Sequence, residues 1–213
     1  MIDCPLCHES EHTLYCEHET GEYRLCSECA LVFVLPEARL EEEEEKGRYD
    51  LHTNSPDDVN YRKFLSKMLE PVCERVPKGS FGLDFGSGPG PTLSKMFEEN
   101  GYKMRIYDHF YARDDEALEQ SYDFITSTEV VEHLYAPSDV IDKLIDILKP
   151  NGLLALLTQP YPPQEAFSTW YYKNDPTHVC FYSLATMLWL EKKYDAKLET
   201  VGKDIFIFTK EKE

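Results

Sequence analysis

Leu83-Asp84-Phe85-Gly86-Ser87-Gly88-Pro89-Gly90-Pro91 is the stretch whose reading decides the fold. A short apolar run precedes it, and Leu93-Ser94-Lys95-Met96-Phe97 opens a helical pattern after it, so it reads as a strand–loop–helix junction. Glycines at 86, 88 and 90 let the backbone turn and approach a ligand without a Cβ in the way. The helix that follows presents unpaired N–H groups to the same place. Asp84, at the edge of the strand, adds a carboxylate. The spacing is D-x-G-x-G-x-G and not the G-x-G-x-x-G of a pyrophosphate-binding turn. A carboxylate repels a pyrophosphate and attracts a cationic ligand. Taken alone the stretch also suits an ordinary glycine-rich turn, and its neighbours decide between the two.

Downstream, residues 102–108 read as a second strand ending in Asp108, eighteen positions beyond Gly90. In a doubly wound sheet this is where a carboxylate receives the ribose hydroxyls of a nucleoside. The next strand, from Tyr122, begins only fourteen positions after Asp108, so the usual helix and strand between them are cut short. His109, Phe110 and Tyr111 are then the candidates for contacts to the base. Thr128 and Glu129-Val130-Val131-Glu132-His133-Leu134 follow at the sheet edge. Val140, Leu144, Ile147 and Leu148 give a helix face, and residues 153–158 a buried strand. From Gln159 a long insert carries Trp170, Tyr171, Tyr172, Asp175, His178, Phe181 and Tyr182, either as a substrate wall or as packing over the core. Within it Asp175 can orient His178, which makes His178 the first candidate for a proton acceptor and His133 the second. A helix over 184–190 and a hairpin over 196–209, turned near Gly202-Lys203, close the chain.

Upstream, Ser55-Pro56-Asp57-Asp58 predicts a helix start with Ser55 as its cap. Tyr61, Leu65, Met68, Leu69, Val72 and Val76 recur at helical spacing after it. The acidic run at residues 41–45 reads as a solvated face or connector, and Tyr49 and His52 as parts of a lid. Cys4-Pro5-Leu6-Cys7 and Cys26-Ser27-Glu28-Cys29 offer two pairs of thiolates across an 18-residue gap, a set that closes a tetrahedral zinc shell. Such a shell leaves no open position for water, so the zinc is expected to be structural. His8 and Ala30 stand where Gly would ease the turn after each pair. Asp and Glu number 40 against 22 Lys and Arg, a net charge of −18, which disfavours a nucleic-acid partner. With no apolar run long enough to span a bilayer and no basic, apolar leader, the expectation is a cytoplasmic protein without a membrane partner.

Residues 56–213 resemble the class I S-adenosylmethionine-dependent methyltransferases. The likeness rests on Asp84 to Gly90 as the first motif, Asp108 as the ribose acid, Tyr122-Asp123-Phe124-Ile125 leading to Glu129-Val130-Val131-Glu132-His133-Leu134, and Leu148-Lys149-Pro150-Asn151-Gly152-Leu153-Leu154. It implies an α/β, Rossmann-like sheet of seven strands with the last antiparallel, preceded by a zinc ribbon over 1–36 and an acidic connector and lid over 37–55. It further implies S-adenosylmethionine held by Asp84, Gly86, Ser87, Gly88, Gly90, Asp108, His109, Thr128 and Glu129. The expected activity is methyl transfer to oxygen, nitrogen or carbon of a small molecule. An RNA methyltransferase that reads RNA with the ribbon, and a cofactor-binding module without turnover, are the alternatives. Glu129, Glu132 and His133 also resemble a segment of ubiquinone-type O-methyltransferases where acids and a histidine hold a divalent cation. A cap and core role for Glu132 and His133 is the plainer reading of those residues.

Overall fold

The computed structural model describes residues 2–18, 21–51 and 54–211. In chain order the strands and α-helices are β1 (His12–His18), β2 (Gly21–Cys26), β3 (Val32–Val34), α1 (Glu42–Tyr49), α2 (Val59–Arg75), β4 (Phe81–Phe85), α3 (Thr92–Glu99), β5 (Lys103–Tyr107), β6 (Tyr122–Thr128), α4 (Pro137–Asp146), β7 (Leu148–Leu157), α5 (Gln164–Phe167), β8 (Cys180–Phe181), α6 (Leu184–Tyr194), β9 (Ala196–Val201) and β10 (Ile205–Lys210).

Two sheets organise them. The larger runs β5-β4-β6-β7-β10-β9. Its first four strands are parallel, and β10 lies antiparallel to both β7 and β9, the hairpin expected from residues 196–209. The parallel strands are near-continuous apolar runs because helices cover both faces; Leu153 to Leu157 are all buried. The resemblance implies seven strands, and among the described residues the sheet has six. The outer strand that would follow β5 is replaced by a bridge between Asp108 and Ala112 and a 3₁₀ turn at Asp115–Glu119, all that fits before β6. Leu65, Met68, Leu69, Val72 and Val76 of the α2 segment are buried, as their spacing predicts. Its cap is Asp58 and not Ser55: the Asp58 carboxylate accepts from the N–H groups of Asn60 and Tyr61.

The smaller sheet runs β1-β2-β3-β8. β3 ends at Val34, close to where Pro36 stops the apolar run, but it is not the sheet's last strand. Val32 pairs with Phe181 and Phe33 with Cys180, so the late insert supplies the fourth. One apolar core is continuous from Leu6, Tyr23, Val32 and Phe33 through Phe167, Phe181 and Tyr182 to Leu154 and Leu156 of β7. Phe167 meets Tyr15, Tyr23, Phe181 and Trp170 at ring-centroid distances of 5.1–5.8 Å. The two expected uses of the insert's aromatics are therefore divided: Phe167, Phe181 and Tyr182 are core, whereas Tyr171 is exposed. Among the described residues no helix is long and apolar enough to cross a membrane.

Gly82 in β4 is packed so closely that a Cβ would lie 2.3 Å from the ring of fully buried Phe124. Gly82→Ala is expected to lower stability by about 1–3 kcal/mol in urea titration. Gly47→Ala, in α1 with nothing within 4 Å of the new methyl, is expected to raise it by about 0.5–1 kcal/mol.

Candidate active site

The parallel strands end on one side of the larger sheet, and there the loops after β4, β5, β6 and β7 enclose a cavity of about 1070 Å³. The glycine loop forms its floor. Gly86 has φ +78°, and a Cβ on it would lie 2.3 Å from Val130. Both facts exclude a larger residue. The N–H groups of Gly86 and Ser87 bond to the Tyr107 carbonyl at 2.8 and 3.2 Å, tying the loop to the end of β5. Asp108 completes the tie. Its carboxylate accepts from the N–H of Gly88 at 2.8 Å, Phe110 at 2.9 Å and Tyr111 at 3.0 Å, so it sets the loop and the turn beyond β5 against each other.

Gly86, Ser87, Gly88, Asp108, His109, Thr128, Glu129, His133 and His178 all line the cavity, joined by Phe110 and Tyr111. Asp84 and Gly90 do not. Asp84 lies beneath the loop, 4% exposed, accepting hydrogen bonds from Ser94 Oγ and Thr126 Oγ1 at 3.1 and 3.0 Å. Burial raises its pKa to about 6. The expectation that it offers its carboxylate to the ligand gives way to a different placement: it braces β4 to α3 and β6. Gly90 serves close approach on the other side, since a Cβ there would lie 1.8 Å from the Asn54 carbonyl oxygen.

The segment expected as an acidic connector and lid supplies one wall of the cavity. Glu42, Glu45, Arg48 and Tyr49 of α1, with Asn54, line the cavity opposite the strand ends. The acidic run conceals this because only Glu45 of α1 is buried, beside the Tyr49 hydroxyl that donates to it at 2.7 Å. Tyr111 donates to Asp50, His109 meets Glu42, and Tyr135 donates to the Leu40 carbonyl, pinning the segment at both ends. Tyr49 thus stands where a lid was expected; His52 lies outside the described residues.

On the far side the insert brings in Tyr171, Tyr172, Asn174, Asp175, Thr177 and His178. The Asp175 carboxylate is not turned to the His178 ring; it accepts from the N–H and hydroxyl of Thr177, while the Asp175 carbonyl accepts from the His178 N–H at 3.1 Å. His178 instead donates from Nδ1 to the Tyr172 carbonyl at 2.7 Å, which fixes a proton on that nitrogen and leaves Nε2 as the acceptor when the ring is neutral. Burial holds its pKa below the ordinary imidazole value. The His133 ring lies 4.6 Å from it, with Nδ1 turned to the Thr177 carbonyl at 3.1 Å. Donor atoms of Glu132, His133 and His178 fall within 4.8 Å of one another, a set that differs from the Glu129, Glu132 and His133 implied by resemblance.

The cavity also carries hydroxyls awaiting partners: Ser87 Oγ and Thr128 Oγ1 are buried without a hydrogen bond among the described residues. Such orphaned donors are costly unless a ligand uses them. Away from the cavity, Cys4, Cys7, Cys26 and Cys29 converge, with Sγ–Sγ distances of 3.6 Å for Cys4–Cys29 and 3.4 Å for Cys7–Cys26. A tetrahedron with 2.3 Å metal–sulfur bonds has edges of about 3.8 Å, so these four can hold a metal ion. His8 and Ala30 take φ of +62° and +54°, the left-handed turn anticipated at both positions.

The profile of the family described as "Methyltransferase domain" matches residues 58–201. A ubiquinone biosynthesis O-methyltransferase of Actinobacillus pleuropneumoniae is 27% identical over 95 residues, 43% of this chain and 41% of that protein, so the match spans well under half of the relative. An O-methyltransferase family protein of Burkholderia thailandensis superposes with a TM-score of 0.54 at 12% identity, over 79% of this chain and 63% of the other. An S-adenosyl-L-methionine-dependent methyltransferase of Methanococcus maripaludis gives 0.54 at 14% identity, over 81% and 93%. These two share the sheet and helix layout described above. With residues 58–201 matched, well over half of its length, the chain belongs to the methyltransferase-domain family.

Proposed function

We propose that the enzyme methylates a small molecule, with the cofactor seated over Gly86, Ser87 and Gly88 and its ribose at Asp108. The observation that carries this reading is the single cavity that joins the glycine loop, Asp108 and the orphaned hydroxyls of Ser87 and Thr128 to an aromatic wall from the insert. His109, Phe110 and Tyr111 supply the base-facing side in place of the missing strand, and Thr128 and Glu129 stand where the cofactor and acceptor halves meet. Bound S-adenosylmethionine supplies an activated methyl group. The protein's own part is to align the acceptor and exclude water. α1 and the insert face each other across the cavity for that purpose, and His178 and His133 border the acceptor side as candidate catalytic imidazoles.

Four cysteines at this spacing suit zinc in a structural role, a closed shell from which no hydrolytic water is presented. The sheet that carries them packs against the insert, so the metal would support the acceptor wall at a distance. Nucleic acid is disfavoured as a partner by the charge of −18, and the ribbon segment 1–36 has Arg24 as its single Lys or Arg. A cytoplasmic setting fits four reduced thiols.

Calorimetric titration with S-adenosylmethionine should give saturable binding at one site per chain. Asp108→Asn replaces one acceptor oxygen by a donor facing backbone N–H groups, and is expected to weaken binding at least about tenfold while costing about 1–3 kcal/mol in urea denaturation. No binding by the intact protein would sink the cofactor reading. Elemental analysis should find one zinc per chain, and Cys4→Ser with Cys29→Ser should abolish it and lower the thermal midpoint.

A further inference from the structure

The hydroxyl of Tyr172 carries one hydrogen and meets two carboxylates. It lies 3.1 Å from Glu129 Oε2 and also bonds to Glu132 Oε1, with Thr158 Oγ1 at 3.5 Å. A single phenol hydrogen serves one of these acids fully, and two ionised carboxylates so close together in a buried place repel each other. A second hydrogen, on Glu132, resolves both problems. Glu132 is 0% exposed and its Oε2 has no partner among the described residues, a vacancy that a neutral acid tolerates far better than a carboxylate. Glu129 stands at the other end, on the cavity, with φ +52°, in the left-handed region that a residue with a side chain seldom takes.

We propose that Glu132 is held as a neutral acid hydrogen-bonded through Tyr172 to an ionised Glu129, and that Glu129 takes the proton from a hydroxyl or ammonium acceptor. This rests on the methyltransferase reading and narrows its acceptor class. In the step the acceptor's O–H or N–H bond breaks and its proton passes to Glu129. The acceptor's electron pair forms the bond to the methyl carbon, and the carbon–sulfur pair stays on sulfur. A carbon acceptor without an ionisable hydrogen has no use for such a chain. The groups facing it are Asp204 and Lys67, which pair at 3.8 Å, together with Thr158, His133 and His178. Burial pushes both carboxyls upward, and Asp204 adds to the rise at Glu129 while Lys67 opposes it. The base form of Glu129 is therefore lost as pH falls below neutrality.

Infrared difference spectroscopy of the intact protein over pH 5–10 tests the resting state without any acceptor. A protonated-carboxyl band persisting at pH 7 and missing from Glu132→Gln is expected, and its absence from the wild type overturns the proposal. The base role is tested with methyl-labelled S-adenosylmethionine and the small-molecule fraction of a cell extract. Transfer should rise with pH through the neutral range, and Glu129→Gln should lower it roughly 100-fold and flatten that rise. Retention of the rise in Glu129→Gln with its loss in His178→Asn assigns the base to His178 and overturns the proposal. So does label found on carbon, or transfer abolished by a chelator and restored by a divalent cation. Failure of the wild type to bind the cofactor in calorimetry would instead remove the methyltransferase reading and leave the infrared result standing.

Discussion

Val32 with Phe181 and Phe33 with Cys180 are two pairings between segments almost 150 residues apart, and the cavity wall supplied by the insert depends on them. They convert a cysteine-bearing hairpin and a long irregular insert into one packed body. Phe167, Phe181, Tyr15 and Tyr23 fill the space between. Most of the insert lies outside regular secondary structure, so that packing, together with the bonds of Tyr172 to Glu129 and Glu132 and of the Thr177 carbonyl to His133, holds Tyr172 and His178 at the ends of β6 and β7. The floor of the cavity is self-sufficient by contrast. Its loop and turn follow consecutive strands and are tied together by N–H groups that donate to the Asp108 carboxylate.

That asymmetry explains what could be read from residue order. The glycine loop, Asp108 and the buried face of α2 are local features with periodic or spaced signatures: Gly86, Ser87, Gly88 and Asp108 line the cavity, and the apolar face of α2 is buried. The orientation of Asp84 was not legible. A strand's last acid can face the ligand or the underside of the loop, and the choice was made by Ser94 and Thr126, hydroxyls that have no reason to stand out. β8 was hidden for a related reason, since a two-residue strand has no period. The part played by α1 was masked by composition: five glutamates in a row look like solvent, and only the fifth, Glu45, is buried.

The shortened stretch after Asp108 was visible as a deficit, and the structure shows how it is made good. His109 and Tyr111 are fastened to Glu42 and Asp50, so the α1 segment holds the short turn that stands after β5. Ring contacts of Tyr49 with Phe110 and His133 then join the turn after β5 to the loop after β6 through this one small helix.

The wall built from Glu42, Glu45, Arg48, Tyr49 and Asn54 precedes the segment 58–201 that defines the family. Shared ancestry of the core says nothing about the chemistry of that wall. Selectivity for one acceptor over another can evolve there without disturbing the catalytic sheet, much as a lock can be recut by changing one plate while the bolt stays untouched.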